Sequence, residues 1–301
     1  MKFILLNYID RSGSSFLMNE LSKHPYVLTF PEMAHWSGIL LRNGSIPFSL
    51  KKKPFLNAEN EIKEHPQLKQ WNISCEILRQ LQGKTYSEVF FDLLSTYAAK
   101  VNAKAKVWVF KQQFFDAIPN IEDAFRARGF KITPLILLRH PCAIFNSQLK
   151  AKEQFPELSF NNNPLFFSKQ WNALQKATKI SDIQTVYYEE LLENTKTIIT
   201  QLYQQWQLNT NATFQNTGTY FQTLNETEKI LHDNITSAAD KNRIDAWKNE
   251  LGDKYQQYLK RKLVDTQTQK YYIPGKPMFI WLTVTFDIIY KFKNLLKRFF
   301  R

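Results

Sequence analysis

Residues 3–17 read FILLNYIDRSGSSFL, and the rest of the chain can be interpreted from this segment. The apolar run that starts at Phe3 predicts a buried parallel strand, whereas Phe16, Leu17 and Leu21 have the spacing of a helix. A polar turn with one glycine separates the two. Strand, polar turn and helix in this order are typical of a phosphate loop, in which backbone N–H groups and the positive end of the helix bind an anion.

The turn itself contains further groups that bind anions. Arg11 carries a guanidinium whose geometry matches phosphate or sulfate oxygens, and Ser12, Ser14 and Ser15 carry hydroxyl donors. No lysine follows Gly13, so the turn is not the Walker loop of ordinary kinases and GTPases. Taken alone, the segment is equally consistent with a serine-rich turn that caps a helix and binds nothing.

A second segment has the same strand-to-helix form. Residues 134–149 read PLILLRHPCAIFNSQL, with Pro141 in the first turn of the predicted helix, where proline is tolerated. Arg139 then lies at the carboxyl end of a strand, which is where open α/β sheets bind ligands. Ser147 follows about two helical turns later and can contact a different part of an extended anion.

Together, the two segments resemble the donor-binding motifs of the sulfotransferases that use 3'-phosphoadenosine 5'-phosphosulfate (PAPS). The turn with Arg11–Phe16 resembles the 5'-phosphosulfate loop, most closely that of the carbohydrate and tyrosylprotein branches. Arg139 and Ser147 resemble the 3'-phosphate site. The resemblance implies an α/β fold of three layers, of the phosphate-loop type, with a central parallel sheet.

The resemblance also implies roles for residues elsewhere. Glu32, just after the second predicted strand, matches the catalytic base, although a solvated loop carboxylate is the ordinary alternative. Lys111, at the end of a predicted strand, matches a lysine beside the bridging oxygen of the donor. There Lys111 and Arg11 would stabilise the charge that grows on the departing phosphate.

Later in the chain the resemblance is looser. Tyr187 belongs to a tyrosine-acid-x-leucine run, in which a tyrosine can approach the adenosine. Lys241 and Arg243 resemble a late basic loop that meets the 3'-phosphate, although this part of the chain lacks the glycines usual in that loop.

Local patterns predict the remaining secondary structure. Strands are predicted at 26–30 and 107–110 and from residue 183, the last running into one long helix that reaches Trp206. Helices are predicted at 86–101, 166–177 and from 240 to about 263.

Composition limits the classes of protein and partner. The 301 residues are 44% hydrophobic and 15% aromatic, which indicates a globular chain, and the net charge of +13 indicates an anionic partner. Cys75 and Cys142 are the only cysteines, so a disulfide framework is not expected, and neither has the spacing of a metal site. A reducing, cytoplasmic location is therefore predicted.

We divide the chain into a sulfotransferase domain at 1–270 and a basic amphipathic tail at 271–301. From Ile288 onward the tail predicts a helix with one apolar and one cationic face. Two interpretations remain open: binding to an anionic membrane surface on its inner, cytoplasmic face, or docking on the protein itself.

The predicted function is sulfuryl transfer from PAPS, as co-substrate, to an acceptor hydroxyl, with a glycan or glycolipid as the first choice of acceptor. Protein tyrosine and small alcohols remain alternatives, as does a nucleotide-binding protein of the phosphate-loop type without catalysis. The resemblance calls for no metal. Nucleic acid is not expected as a partner, because no basic helix with interleaved aromatic residues occurs outside the tail.

Overall fold

A computed structural model of the chain describes about two thirds of its residues. The described residues are 1–31, 71, 76–77, 80, 86–113, 122, 125–158, 160, 162–178, 183–215, 218–232 and 240–263. Glu32 and the predicted tail therefore lie outside the described residues.

The described elements alternate between strands and helices, as expected of an α/β protein. The strands are β1 (Lys2–Asn7), β2 (Val27–Thr29), β3 (Val107–Gln112), β4 (Ile132–Leu138) and β5 (Gln184–Tyr187). The helices are α1 (Ser14–Leu21), α2 (Tyr86–Val101), α3 (Pro141–Gln154), α4 (Pro164–Ala177), α5 (Tyr188–Glu193), α6 (Thr195–Gln205), α7 (Glu226–Leu231), α8 (Trp247–Glu250) and α9 (Asp253–Lys262). Short 3-10 turns cover Tyr220–Thr223 and Lys241–Arg243.

The five described strands form one sheet in the order β2-β3-β1-β4-β5, and all their pairings are parallel. Central strand β1 is buried along nearly its whole length, which explains its uninterrupted apolar sequence. Because all strands run in one direction, the segments that follow β1, β3, β4 and β5 meet at one edge of the sheet.

Helices cover both faces of the sheet and give it two cores. In β4, Leu135 and Leu137 pack in the core that includes α1 and α6, whereas Ile136 and Leu138 pack in the core that includes α3, α4 and α9. This alternation follows the period of two of a strand. The predicted three-layer architecture with a central parallel sheet is confirmed.

Two predicted long helices are interrupted. The segment after β5 bends at Asn194, whose φ of −132° ends α5 before α6 begins. The segment from 240 to 263 forms a 3-10 turn, α8 and α9, because Leu251 and Gly252 adopt extended backbone conformations. In contrast, Asn163 caps α4 through bonds to the N–H groups of Leu165 and Phe166, so that helix begins two residues before its predicted start.

Among the described residues, no helix is long and apolar enough to cross a membrane.

Candidate functional site

The turn between β1 and α1 has the backbone geometry of a tight anion-binding loop. Arg11 and Gly13 both adopt left-handed conformations, with φ of 71° and 95°, and the Ser12 N–H donates to the carbonyl of Ile9 at 3.0 Å. Within the described part of the chain no side chain caps the start of α1 at Ser14, so its first N–H groups can bind a ligand. The buried hydroxyl of Ser12 likewise has no hydrogen-bond partner among the described residues.

Glycine is required at position 13 for two reasons. The backbone there is left-handed, and the ring of Tyr188 lies close to it. A Cβ atom on Gly13 would lie 2.1 Å from Cε2 of Tyr188. The same ring also contacts Arg139, whose guanidinium carbon is 4.6 Å from the ring centroid. The ring of Tyr188 therefore fixes the loop against the second anion-binding segment.

The second segment lies next to the first, although 128 residues separate Arg11 from Arg139 in the chain. Arg139 donates from Nη1 to the carbonyl of Arg11 at 2.9 Å and from Nη2 to the carbonyl of Arg243 at 3.1 Å. Arg11 in turn donates from Nε to the hydroxyl of Ser147 at 3.2 Å. The sheet thus brings together the two turns that the sequence suggested as one nucleotide site.

A short hydrogen-bond chain crosses the front of the phosphate loop. Lys111, only 2% exposed, donates from Nζ to Oγ of Ser15 at 3.3 Å, and Nε2 of His232 lies 3.3 Å from the same oxygen. An ammonium group can only donate, so Ser15 accepts from Lys111 and can donate its own proton to His232.

Burial, and then the charges of Lys111 and Arg11, hold the pKa of His232 well below its ordinary value. The imidazole is therefore neutral near pH 7 and can accept a hydrogen bond from Ser15.

Side chains of both anion-binding turns, together with His232, line one cavity of about 470 Å³ at the carboxyl edge of the sheet. Its polar wall includes Arg11, Ser14, Ser15, Arg139, Asn146, Ser147, Lys150, His232, Asp240, Arg243 and Glu250. Its apolar wall includes Phe16, Tyr188, Leu192, Ile230 and Trp247. The indole N–H of Trp247 is buried and has no partner among the described residues, so it is a further available donor.

Positive charge accumulates in this cavity. Burial and then the charge of Arg139 lower the pKa of Arg11, although an arginine remains protonated at neutral pH. Arginines 11, 139 and 243 thus all border the same space, and such an arrangement suits a ligand with more than one anionic group.

The predicted site residues are distributed unevenly around this cavity. Arg11, Gly13, Ser14, Ser15, Phe16, Arg139, Ser147 and Arg243 line it. Ser12 is buried in the loop itself, and Lys111 contacts the loop through Ser15.

Tyr187 and Lys241 do not line the cavity. Tyr187 ends β5 and packs against the core on the α3 side, so Tyr188 occupies the cavity wall in its place. Lys241 is exposed in its 3-10 turn.

Sequence reasoning missed Tyr188, His232 and the pair Lys150 and Glu250. Tyr188 was one position from a predicted residue and directly follows the strand that Tyr187 ends. His232 gave no local signal, because its neighbours Ser15 and Lys111 are more than 100 residues away in the chain.

His140, at the start of α3, is expected to affect the stability of the protein in acid. His140 caps the helix by accepting from the N–H of Cys142, and its ring stacks on Trp247 at 4.2 Å. Burial, and then the charges of Lys248 and Arg139, lower the pKa of His140 to about 4.

Because the unfolded chain binds this proton near pH 6.5, the contribution of His140 to stability is lost as pH falls from about 6.5 to 4. We expect wild type to lose about 3 kcal/mol more than His140→Asn between pH 7 and pH 4, since asparagine keeps a cap but cannot be protonated. Urea unfolding at both pH values measures this difference. Equal losses in the two proteins would contradict the assignment.

Comparison with solved structures finds this architecture in proteins that include two sulfotransferase domains. The sulfotransferase domain from the curacin biosynthetic pathway shares 14% identity over 91% of this chain and 99% of that domain, with a TM-score of 0.57. The sulfotransferase domain from the Synechococcus PCC 7002 olefin synthase shares 14% identity over 97% of this chain and 94% of that domain, with a TM-score of 0.55. Neither the family models nor the curated proteins give a match.

The chain therefore has the sulfotransferase fold, an α/β fold of the phosphate-loop type. The fold predicted from the two sequence motifs is confirmed.

Proposed function

We propose that the protein is a sulfotransferase that moves a sulfuryl group from PAPS to an acceptor hydroxyl, with a hydroxyl of a glycan or glycolipid as the preferred acceptor. The observation that carries the proposal is the contact between the two anion-binding turns, made by Arg139 with the carbonyl of Arg11 and by Arg11 with Ser147. The shared fold supports the same reaction class.

In this proposal the donor lies across the carboxyl edge of the sheet. Its 5'-phosphosulfate would bind the N–H groups and hydroxyls of residues 12–15 and the guanidinium of Arg11. Its 3'-phosphate would accept hydrogen bonds from Arg139 and Ser147, and Arg243 would contribute charge at the same end. The ring of Tyr188, between the two turns, is placed to support the nucleoside.

The transfer would be an in-line displacement at sulfur. The acceptor oxygen forms a bond to sulfur, its proton passes to a base, and the bond from sulfur to the bridging phosphate oxygen breaks. The products are a sulfate ester and adenosine 3',5'-bisphosphate. Lys111 would stabilise the negative charge that develops on the departing phosphate, an interaction that grows as the bond breaks.

Glu32 remains our proposed base, on the strength of the sequence resemblance, and it lies outside the described residues. His232 is the second candidate, because its hydrogen bond to Ser15 places it beside the phosphate loop, although its lowered pKa makes it a weaker proton acceptor than an unperturbed histidine. Rates of Glu32→Gln and His232→Gln would separate the two, since only loss of the base removes the acidic limb from the pH profile of kcat/KM.

A thermal-shift experiment tests the donor. We expect adenosine 3',5'-bisphosphate to raise the melting temperature more than ATP or 5'-AMP, and this preference to disappear in Arg139→Ala and Ser147→Ala. Arg128→Ala is the control, since Arg128 pairs with Asp92 at 3.9 Å and does not line the cavity. Equal stabilisation of wild type by ATP and by the bisphosphate would contradict the proposed donor.

The acceptor and the alternative functions need a transfer assay. Labelled sulfuryl from PAPS would be offered to glycans, glycolipids, tyrosine peptides and small alcohols in parallel. Tight binding of the bisphosphate without transfer to any acceptor or to water would instead favour a nucleotide-binding protein without catalysis.

A further inference from the structure

Two acidic side chains, Asp240 and Glu250, lie in the cavity that otherwise favours anions, and Asp240 pairs with Arg243 at 3.4 Å. Lys150 places Nζ 2.6 Å from Oε1 of Glu250, and Asn146 donates from Nδ2 to Oε2 at 2.7 Å. These contacts, of which the hydrogen bond from Lys150 has the largest effect, hold the pKa of Glu250 below its usual range. The carboxylate is therefore ionised at neutral pH.

The two partners of Glu250 belong to the segment proposed for the 3'-phosphate. Asn146, Ser147 and Lys150 all lie in α3, and Lys150 is three residues beyond Ser147 and four beyond Asn146. Side chains at these spacings occupy one face of a helix. The donors of Asn146 and Lys150 thus lie beside the hydroxyl of Ser147 in the same cavity, and Glu250 engages them both.

A phosphate group can replace the carboxylate of Glu250 as the partner of these donors. It carries more negative charge and offers three oxygens, so it is a stronger acceptor for an ammonium group. The side chains of Lys150 and Glu250 are 56% and 34% exposed, so the ion pair reaches solvent and separates at modest cost. After the ion pair has separated, the carboxylate of Glu250 would remain as a negative charge beside the bound phosphate.

Resting on the proposed function, we propose that Lys150 and Asn146 are further ligands of the 3'-phosphate and that Glu250 competes with this phosphate for them. Glu250 then limits the affinity for nucleotides that carry a 3'-phosphate, including the product adenosine 3',5'-bisphosphate. A nucleotide without a 3'-phosphate gains nothing from displacing Glu250. The residue therefore acts on one end of the ligand only.

The substitution Glu250→Gln tests this competition, because glutamine can still accept from Asn146 but has no charge to hold Lys150. We expect the Kd for adenosine 3',5'-bisphosphate to fall about fivefold, as one repulsive charge is removed from the cavity. The Kd for 5'-AMP should change less than about twofold, since the interaction is with the 3'-phosphate. Titration calorimetry measures both.

Two further variants test whether Lys150 contributes to the gain in affinity and whether the loss of any negative charge would produce it. Lys150→Gln added to Glu250→Gln should reduce the gain in affinity, because the ammonium group released from Glu250 provides part of it. Glu157→Gln is the matched control, since Glu157 is exposed, lies outside the cavity and loses the same charge.

Unchanged or weaker binding of the bisphosphate by Glu250→Gln, in a variant that melts like wild type, would overturn the competition while leaving the donor site intact. Failure of wild type to prefer the bisphosphate over 5'-AMP would instead overturn the proposed function, and the competition with it.

Discussion

Gly13→Ala is expected to destabilise the protein by roughly 3–5 kcal/mol and to abolish binding of adenosine 3',5'-bisphosphate. The left-handed backbone at Gly13, with φ of 95°, accounts for about 1–2 kcal/mol of this effect. The larger part comes from the new Cβ, which would lie 2.1 Å from the ring of Tyr188. This ring is buried and stacked under Arg139, so it cannot move aside without displacing the second anion-binding segment.

Gly129→Ala is the matched control for this experiment. Gly129 also has a positive φ, of 76°, but a Cβ there would meet no atom within 4 Å. Gly129→Ala should therefore lose only about 1 kcal/mol of folding stability and keep full nucleotide affinity. Adding Tyr188→Ala to Gly13→Ala should relieve the steric part of the loss. If Gly13→Ala and Gly129→Ala were equally stable in urea unfolding, the account of the Gly13 contact would be wrong.

Lys111→Met is expected to lower the rate of sulfuryl transfer by about 100- to 1000-fold, the usual loss when one preorganised charge partner of the transition state is removed. Binding of the bisphosphate should weaken far less, because the charge on the bridging oxygen develops only during transfer. Stability should change little, since methionine fills similar space and removes a buried charge. Single-turnover transfer from PAPS to water needs no known acceptor and measures the rate.

The control for this experiment is Lys106→Met, at the other end of the segment that contains β3. Lys106 is exposed and contacts the ring of Tyr26, far from the phosphate loop. Lys106→Met should transfer the sulfuryl group at the wild-type rate. A rate for Lys111→Met within threefold of Lys106→Met would remove Lys111 from the proposed mechanism.

The parts of the structure that could be predicted from sequence are those fixed by local chemistry. The apolar run of β1, the glycine-containing turn and the proline at the start of α3 each specify their conformations within a few residues. Two such strand-end turns in a parallel sheet necessarily face the same edge. The fold and the anion-binding loop followed from these features.

The rest depends on contacts between distant segments, which leave little trace in a single sequence. The contact of Gly13 with Tyr188, of Ser15 with His232, and of Lys150 with Glu250 each joins residues about 100 or more positions apart. Helix breaks were also missed, although Asn194 and Gly252 are residue types that often end a helix.

A crystal structure of the complex with adenosine 3',5'-bisphosphate tests the central claim most directly. We expect the 5'-phosphate within hydrogen-bond distance of the N–H groups of residues 13–15, and the 3'-phosphate within hydrogen-bond distance of Arg139 and Ser147. A nucleotide with only one phosphate in this cavity, or bound elsewhere on the protein, would contradict it.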